Sequence, residues 1–194
     1  PCIGGKVSLY NETPSGPIKP TPLIGVLGLI DKKPLVSQKI QSGDNLVIIG
    51  DTKDELGGSE YFEYIHKFIG GNCPTVDFKE SKKNMKSVLD SIKQQIPKSV
   101  HDCSKGGLAV AVAELCMTNQ IGCKVSLNKV PGEKLTDDRI LFSESHSRYL
   151  LTIDEKNIKK LENILKKNKV TFQIIGKFGG KKIHFANGTK SIIT

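Results

Sequence analysis

The apolar positions of the chain form short unbroken runs that alternate with segments in which apolar residues recur every three or four positions. The unbroken runs have the length and the branched side chains of buried strands. Strands are predicted in this way at 24–30, 46–49, 99–103, 123–127 and 149–153. The last two runs, 170–178 and 182–185, predict a closing hairpin with Gly179 and Gly180 in its turn.

Helical spacing governs the segments between these runs. It predicts helices at 61–69, 82–96, 106–117, 135–142 and 155–167. The expected core face of the second helix consists of Met85, Val88, Leu89, Ile92 and Ile96. In the third helix the run at 108–113 is apolar on every side, and this run is expected to be covered all round. Strands that alternate with helices predict an α+β fold, a mixed sheet with helices packed on it.

The first 22 residues differ from the rest, because they hold five of the nine prolines. The alternating run at 6–10 predicts one strand, and the prolines after it predict an extended linker. The regular alternation of strands and helices therefore begins after this segment, at residue 23.

Composition narrows the class of protein. The hydrophobic fraction is 37%, aromatics are 6% and Trp is absent, so the core is aliphatic. The five cysteines form no C-x-x-C pair, which argues against a disulfide framework or a zinc site and for reduced thiols in the cytoplasm. No apolar run is long enough to span a membrane, and no signal segment is recognisable.

The net charge of +9 raises the alternative of a basic nucleic-acid-binding domain. Nearly all of this charge is Lys, since Arg occurs only at positions 139 and 148. Arg makes the bidentate contacts to bases and phosphates, so its scarcity argues against a sequence reader. A Lys-rich solvated surface without a nucleic-acid partner is the favoured interpretation.

Two segments run from a strand through a Gly-Gly pair into a helix, at 50–60 and 101–108. The start of a helix offers free backbone N–H groups and a positive dipole end, which hold phosphate without a cationic side chain. The candidate anion ligands in these loops are Gly57, Gly58, Ser59, Ser104, Gly106 and Gly107. The alternative is that each Gly-Gly pair makes only a tight turn.

A third polar segment, "LFSESHSRY" at 141–149, precedes an apolar strand. As a ligand clamp, Glu144 would accept ribose hydroxyls, while the serines, including Ser145, and Arg148 would bind phosphate. His146 completes the candidate set. The alternative is a solvated turn with Ser caps.

Five stretches in one order carry a family resemblance: "GGKVSLYNET", "PTPLIGVLGLI", "GDTKDELGGSEY", "HDCSKGGLAVAVAEL" and "LFSESHSRYLLTI". Together they resemble the C-terminal half of the phosphoribosylformylglycinamidine synthase large subunit, with its AIR synthase-related C-terminal domain. The resemblance implies that residues 1–22 end an ATP-handling domain, and that 23–194 form the AIR synthase C-terminal-like domain. It also implies that the chain is a fragment that folds without catalysing.

The same resemblance implies an activity for the whole protein. That activity is an ATP-dependent ligase reaction with Mg²⁺, in which formylglycinamide ribonucleotide and glutamine-derived ammonia give the amidine. The implied partners are a glutaminase subunit, a small bridging subunit and the N-terminal half of the same subunit. The alternative for the main domain is a catalytically inert scaffold or an auxiliary nucleotide-binding domain.

The resemblance assigns roles to single residues as well. Gly5 matches an ATP contact, and Ser8 matches a substrate contact. Lys6 stands where the family usually has Asn as a Mg²⁺ ligand, and an ammonium group cannot ligate a divalent cation. The counterpart of Glu144, Ser145 and His146 in the first half of the family's chain binds substrate. Because four carboxylates crowd the 51–60 loop, we expect at most weak anion binding in the main domain, at Gly106 and Gly107.

Overall fold

The computed structural model describes residues 2–19, 21–30 and 36–193. It divides into two compact units, residues 1–33 and 34–194. In the first unit, strand β1 (Glu12–Thr13) pairs with strand β2 (Gly16–Pro17) in an antiparallel hairpin.

The strands predicted at 6–10 and 24–30 are wrong, since both segments are irregular coil in the structure. Their apolar side chains, such as Leu9 and Val26, are almost fully exposed. A strand persists only when a neighbouring strand pairs its backbone groups and covers a face. Within the described part of the chain, neither segment has such a strand beside it.

The second unit is built on one seven-stranded sheet, in the spatial order β4-β6-β3-β7-β5-β8-β9. Its strands are β3 (Asn45–Ile49), β4 (Ser99–Asp102), β5 (Cys123–Ser126), β6 (Tyr149–Ile153), β7 (Phe172–Phe178), β8 (Ile183–Asn187) and β9 (Lys190–Ile193). Neighbouring strands are antiparallel except β5 and β8, which are parallel.

Helices lie against both faces of this sheet. They are α1 (Glu60–Tyr64), α2 (Phe78–Lys93), α3 (Gly107–Asn119), α4 (Asp137–Phe142) and α5 (Ile158–Lys167), with 3-10 turns at Leu127–Lys129 and Glu155–Asn157. Among the described residues, none of these helices has the length and apolarity needed to cross a bilayer.

Central strand β3 is buried at every position because both faces of the sheet are covered there. Leu46 and Ile48 point into a cluster with residues of α3 and α4. Val47 and Ile49 point to the other side, into a cluster with residues of α2 and α5. The period of two along a strand thus divides the aliphatic residues between two cores.

The predicted closing hairpin is wrong. Strands β7 and β8 do not pair with each other; both pair with β5, which lies between them. At the crossing, the Gly122 N–H donates to the Gly180 carbonyl at 2.9 Å and the Gly179 N–H donates to the Gly122 carbonyl at 2.8 Å. The hairpin that does form joins β8 to β9.

Three helix predictions also need correction. The helix predicted at 61–69 ends at Tyr64, and the apolar residues after it are exposed. The 108–113 run of α3 is not covered all round, since Val110 is 38% exposed. In α2, Met85 and Leu89 are exposed although the spacing placed them in the core.

Candidate functional site

The Ser-rich loop at 143–148 connects α4 to β6 and is tied to the loop after β3. The Ser143 hydroxyl donates to the Lys53 carbonyl at 2.7 Å, and the Ser145 hydroxyl accepts from the Lys53 N–H at 3.0 Å. Both serines are buried. They hold one backbone segment against another, so they are not open to a ligand in this conformation.

Arg148 lies at the end of the same loop and is 1% exposed. Its guanidinium donates to the Ser145 carbonyl at 3.1 Å, to the Thr52 hydroxyl at 3.0 Å and to the Ser143 carbonyl. Burial lowers the pKa of Arg148. Because the guanidinium donates to three protein groups, it is not free to bind phosphate in this conformation.

Glu144 joins the two Gly-Gly loops. Its Oε1 accepts from the Gly106 N–H at 2.9 Å, at the start of α3, and from the Glu60 N–H at 3.0 Å, at the start of α1. These amides belong to the two helix starts at which we predicted an external anion. A carboxylate of the chain itself therefore lies there, at the positive ends of both helix dipoles.

The other polar groups of the first Gly-Gly loop are also engaged. The Gly58 N–H donates to the Gly70 carbonyl at 2.8 Å. Ser59 is buried and caps α1, since its hydroxyl accepts from the Phe62 N–H at 3.2 Å and donates to the Leu56 carbonyl at 2.6 Å. The backbone at Gly57 passes so close to Asn72 that a β-carbon would collide with it. This loop is built as a close-packed turn.

The four carboxylates of the 51–60 loop each have a donor. Glu60 pairs with Lys105 at 2.8 Å, and Asp54 pairs with Arg139. The Glu55 carboxylate accepts from the Thr75 N–H at 3.0 Å, and the Asp51 carboxylate accepts from the Thr171 hydroxyl at 3.3 Å. The loop therefore holds its carboxylates with donors of the chain itself, and their negative charge still opposes the binding of an external anion, as expected.

A cleft of about 410 Å³ remains open beside these loops. It is lined by Pro74, Asp102, Cys103, Ser104, Lys105, Glu144, His146, Ser147, Arg148 and Tyr149. The structure thus brings five predicted site residues to the lining of one cleft: Ser104, Glu144, His146, Ser147 and Arg148. It does not bring Gly57, Gly58, Ser59, Ser145 or the Gly106-Gly107 pair to that lining. Burial raises the pKa of Cys103 to about 11, so this thiol stays protonated at neutral pH.

Two residues of α2 that hold the loop, Ser81 and Asn84, were missed by the sequence analysis. Ser147 has a left-handed backbone with φ of 61°, and its carbonyl accepts from the Asn84 side-chain amide at 3.2 Å. The Ser147 hydroxyl also contacts the Ser81 hydroxyl. The available signal was the row of small polar residues at helical spacing in α2, on a helix otherwise interpreted by its apolar residues.

Gly5, Lys6 and Ser8 lie in the first unit, where all three are exposed and the backbone is irregular. Lys6 and Ser8 line an open cleft of about 1040 Å³ formed by residues of that unit. The side chain at position 6 does not fit a Mg²⁺ ligand, since an ammonium group has no lone pair to donate. Across the described ranges, no group of three or more His, Cys, Asp or Glu side chains could hold a metal ion.

The covered mixed sheet and its capped helix starts define an α+β domain. The family described as "AIR synthase related protein, C-terminal domain" matches residues 41–187. This match spans more than half of the chain, and the chain therefore belongs to that family. The predicted fold class, a mixed sheet with helices in the manner of an AIR synthase C-terminal domain, is confirmed.

Curated relatives of the chain share one name. The phosphoribosylformylglycinamidine synthase subunit PurL of Methanocaldococcus jannaschii is 40% identical over 201 residues, which cover 100% of this chain and 27% of that subunit. The PurL subunit of Thermococcus sibiricus is 37% identical over 193 residues, which cover 98% of this chain and 26% of that subunit. The chain spans about a quarter of the length of these relatives.

Solved structures show the same fold at low identity. PurL of Thermotoga maritima complexed with FGAR has a TM-score of 0.74 at 18% identity, over 81% of this chain and 27% of that one. HypE of E. coli, a hydrogenase maturation protein, has a TM-score of 0.61 at 14% identity, over 81% of this chain and 51% of the HypE chain. Because both proteins are less than 20% identical to this chain and are named differently, their likeness supports only the assignment of the fold.

Proposed function

We propose that this chain is the C-terminal part of a phosphoribosylformylglycinamidine synthase subunit. In the whole protein, ATP activates the amide oxygen of formylglycinamide ribonucleotide, and ammonia released from glutamine displaces phosphate to give formylglycinamidine ribonucleotide. The observation that carries the proposal is the alignment of the entire chain, at 40% identity, with a relative of that name. The order of the five motifs supports it.

Within that reaction, the first unit supplies the ligand contacts. Gly5 contacts ATP and Ser8 contacts the ribonucleotide, and the exposure of both residues leaves them accessible. Lys6 contacts a phosphate oxygen rather than Mg²⁺, because its charge is attractive to phosphate and repulsive to the cation. The Mg²⁺ that accompanies ATP is held by other residues of the whole protein.

The second unit is a structural or auxiliary domain in this proposal. The Glu144 carboxylate already occupies amides at the starts of α1 and α3, so a phosphate would have to displace it. The cleft beside Ser104, Lys105 and His146 then takes an anion weakly. The domain holds the neighbouring catalytic half in shape, in a cytoplasmic complex with a glutaminase subunit and a small bridging subunit.

A chimera tests the proposal. The aligned C-terminal segment of the Methanocaldococcus jannaschii PurL subunit is replaced by this chain, and ADP formation is measured with formylglycinamide ribonucleotide and ammonia. We expect activity that depends on both substrates. The native subunit and a subunit lacking the segment are the two reference proteins.

Two variants of the chimera separate the roles of the units. Ser8→Ala is expected to weaken the apparent affinity for the ribonucleotide, whereas Ser104→Ala in the cleft of the second unit is expected to leave turnover unchanged. A folded chimera without activity would contradict the proposed function. Strong loss of activity in Ser104→Ala alone would contradict the auxiliary role of the second unit.

A further inference from the structure

Helix α2 buries mainly polar residues and exposes large apolar ones, which is the reverse of an ordinary surface helix. Four of its five buried residues are polar: Ser81, Asn84, Ser87 and Ser91. Three large apolar residues face solvent instead, with Phe78 81% exposed, Met85 51% and Leu89 48%. A surface helix normally turns its apolar stripe to the core, so this arrangement calls for an explanation.

The polar side of α2 is fixed in place by its partners. The Asn168 amide donates to the Ser87 hydroxyl at 2.9 Å, whereas the buried Ser91 hydroxyl is satisfied inside the helix, by the Ser87 carbonyl at 2.7 Å. At the other end, Asn84 donates to the Ser147 carbonyl. Turning the apolar side inward would break the bonds to Ser147 and Asn168 and leave these part-buried groups without their α2 partners, which is costly.

The three exposed apolar residues lie on one side of the helix, because positions 78, 85 and 89 are separated by about two turns and one turn. We call this surface the α2 stripe. Its solvent side is edged by exposed lysines, namely Lys79, Lys82, Lys86 and Lys93. Lys86 pairs with Asp90 at 2.7 Å, and the helix still carries an excess of positive charge.

We propose that the α2 stripe is a docking surface for an acidic amphipathic helix of another protein chain. The apolar face of that helix would cover Phe78, Met85 and Leu89, and its carboxylates would lie beside the lysines at the edge. Charge complementarity selects this occupant. The inference does not depend on the proposed function, since it uses only the surface of α2.

Two other occupants fit the stripe less well. A second copy of the chain would bring the same lysines face to face across a two-fold axis, and like charges at close range repel. A bilayer would need apolar side chains that protrude into the acyl region, but Met85 and Leu89 are about half covered by their own domain.

The test measures binding of a labelled synthetic peptide of about 18 residues, long enough to form an amphipathic helix. It has Leu on one face and Glu on the other, and a matched peptide has Lys in place of Glu. By fluorescence anisotropy at low salt, we expect saturable binding of the Glu peptide and at least about tenfold weaker binding of the Lys peptide.

Three variants of the full chain locate the binding surface. Met85→Asp is expected to weaken binding of the Glu peptide about tenfold or more. Lys82→Glu, which keeps the apolar residues, is expected to weaken the Glu peptide and strengthen the Lys peptide. Met117→Asp changes an equally large apolar residue, 75% exposed, on α3, and is expected to leave binding unchanged. Circular dichroism checks that each variant is folded.

Four results would overturn the proposal. They are absence of binding to the Glu peptide, equal binding of both peptides, the same affinity in Lys82→Glu as in the unmodified chain, and an equal loss in Met117→Asp. Sedimentation that shows a dimer lost in Met85→Asp would assign the stripe to a second copy instead. Co-sedimentation with phosphatidylserine vesicles that is lost in Met85→Asp would assign it to a membrane.

Discussion

Arg148 organises the Ser-rich loop from inside the domain. Its guanidinium holds Thr52, Ser143 and Ser145, and no solvent reaches it to replace those bonds. Arg148→Met keeps the apolar volume but leaves these acceptors without a donor. We expect the free energy of unfolding, measured with urea, to fall by about 3 kcal/mol.

Arg139 gives the control for that measurement. It pairs with Asp54 at a half-exposed position, where water replaces the ion pair at little cost. Arg139→Met is expected to lower the free energy of unfolding by less than about 1 kcal/mol. Equal effects of the two substitutions would mean that the bonds of Arg148 do not stabilise the loop.

The Glu144 carboxylate acts as an internal anion for two helix starts. In Glu144→Ala, the Gly106 and Glu60 amides lose their acceptor, and we expect the free energy of unfolding to fall by about 1–2 kcal/mol. Added sulfate should recover part of this loss, because it can bind the freed amides. Thermal unfolding with and without sulfate measures the recovery.

Glu133→Ala is the matched control, since that exposed carboxylate accepts from the Asp54 N–H at 3.1 Å in a loop. We expect sulfate to have the same effect on it as on the unmodified chain. A Glu144→Ala variant that responds to sulfate no more than Glu133→Ala would show that the amides do not form an anion site.

The residues of the candidate site were partly predictable. Gly-Gly pairs and the "SES" segment stand out in the sequence, and Glu144 does meet both loops. That Glu144 fills the helix starts itself could not be predicted, because Gly106 and Glu144 are brought together only by the packing of α3 against α4. The burial of Arg148 could not be predicted for a related reason, since burial of a charge is decided by tertiary partners.

Among the elements, three strand ends are joined by one ion-paired lysine. Lys98 precedes β4, Asp44 precedes β3 and Asp154 follows β6. The Lys98 Nζ lies 2.8 Å from the Asp44 Oδ1 and 2.5 Å from the Asp154 Oδ1. Burial alone would lower the pKa of Lys98, but the hydrogen bonds to both carboxylates outweigh it and raise that pKa. The hydrogen bond from Lys98 lowers the pKa of Asp154.

The lowered pKa of Asp154 determines in which direction the stability of the domain changes with pH. Asp154 contributes stability above its unfolded pKa of about 4, and the contribution is lost as the pH falls through the folded pKa. We expect the unmodified chain to be more stable than Asp154→Asn at pH values near neutral, with a difference that vanishes in acid. Urea unfolding over a pH series measures this difference.

Lys98→Met provides the control background. Without the ammonium group, Asp154→Asn should change stability by a smaller and less pH-dependent amount. A difference that persists unchanged into strong acid, or that survives in the Lys98→Met background, would contradict the assignment.

Elements whose stability is local were predicted well, and elements that depend on partners were not. Strand β3 and helix α5 lie close to the predicted positions, because an aliphatic run and a strong amphipathic repeat decide them. The 24–30 run has the same composition as a buried strand, yet it forms none. The prediction of a closing hairpin was wrong because β5 lies between β7 and β8 in the sheet. No short-range sequence pattern indicates that β5, which is distant in sequence, pairs with both.

At the scale of the molecule, both apolar clusters draw only on residues from Ile40 onward. A chain that begins at residue 34 therefore keeps every member of the two cores. We expect its free energy of unfolding to lie within about 0.5 kcal/mol of that of the full chain, as measured with urea. A larger loss would show that residues 1–33 stabilise the second unit.

A truncation at the other end gives the contrasting control. A chain that ends at residue 187 loses β9 and the contact of Ile192 with the core. We expect this chain to unfold at a clearly lower urea concentration. If both truncated chains unfolded together with the full chain, the described core would not determine stability.

The parallel pairing of β8 with β5 also sets an order of events during synthesis. Every contact inside the sheet except that of β8 with β9 joins strands that are not consecutive, and such distant pairings are slow to form. On a ribosome, β5 emerges some sixty residues before the strand that completes its edge. Until β8 is available, the nascent chain carries an unpaired edge at β5, so we expect this interval of translation to be the one in which chaperones protect the chain.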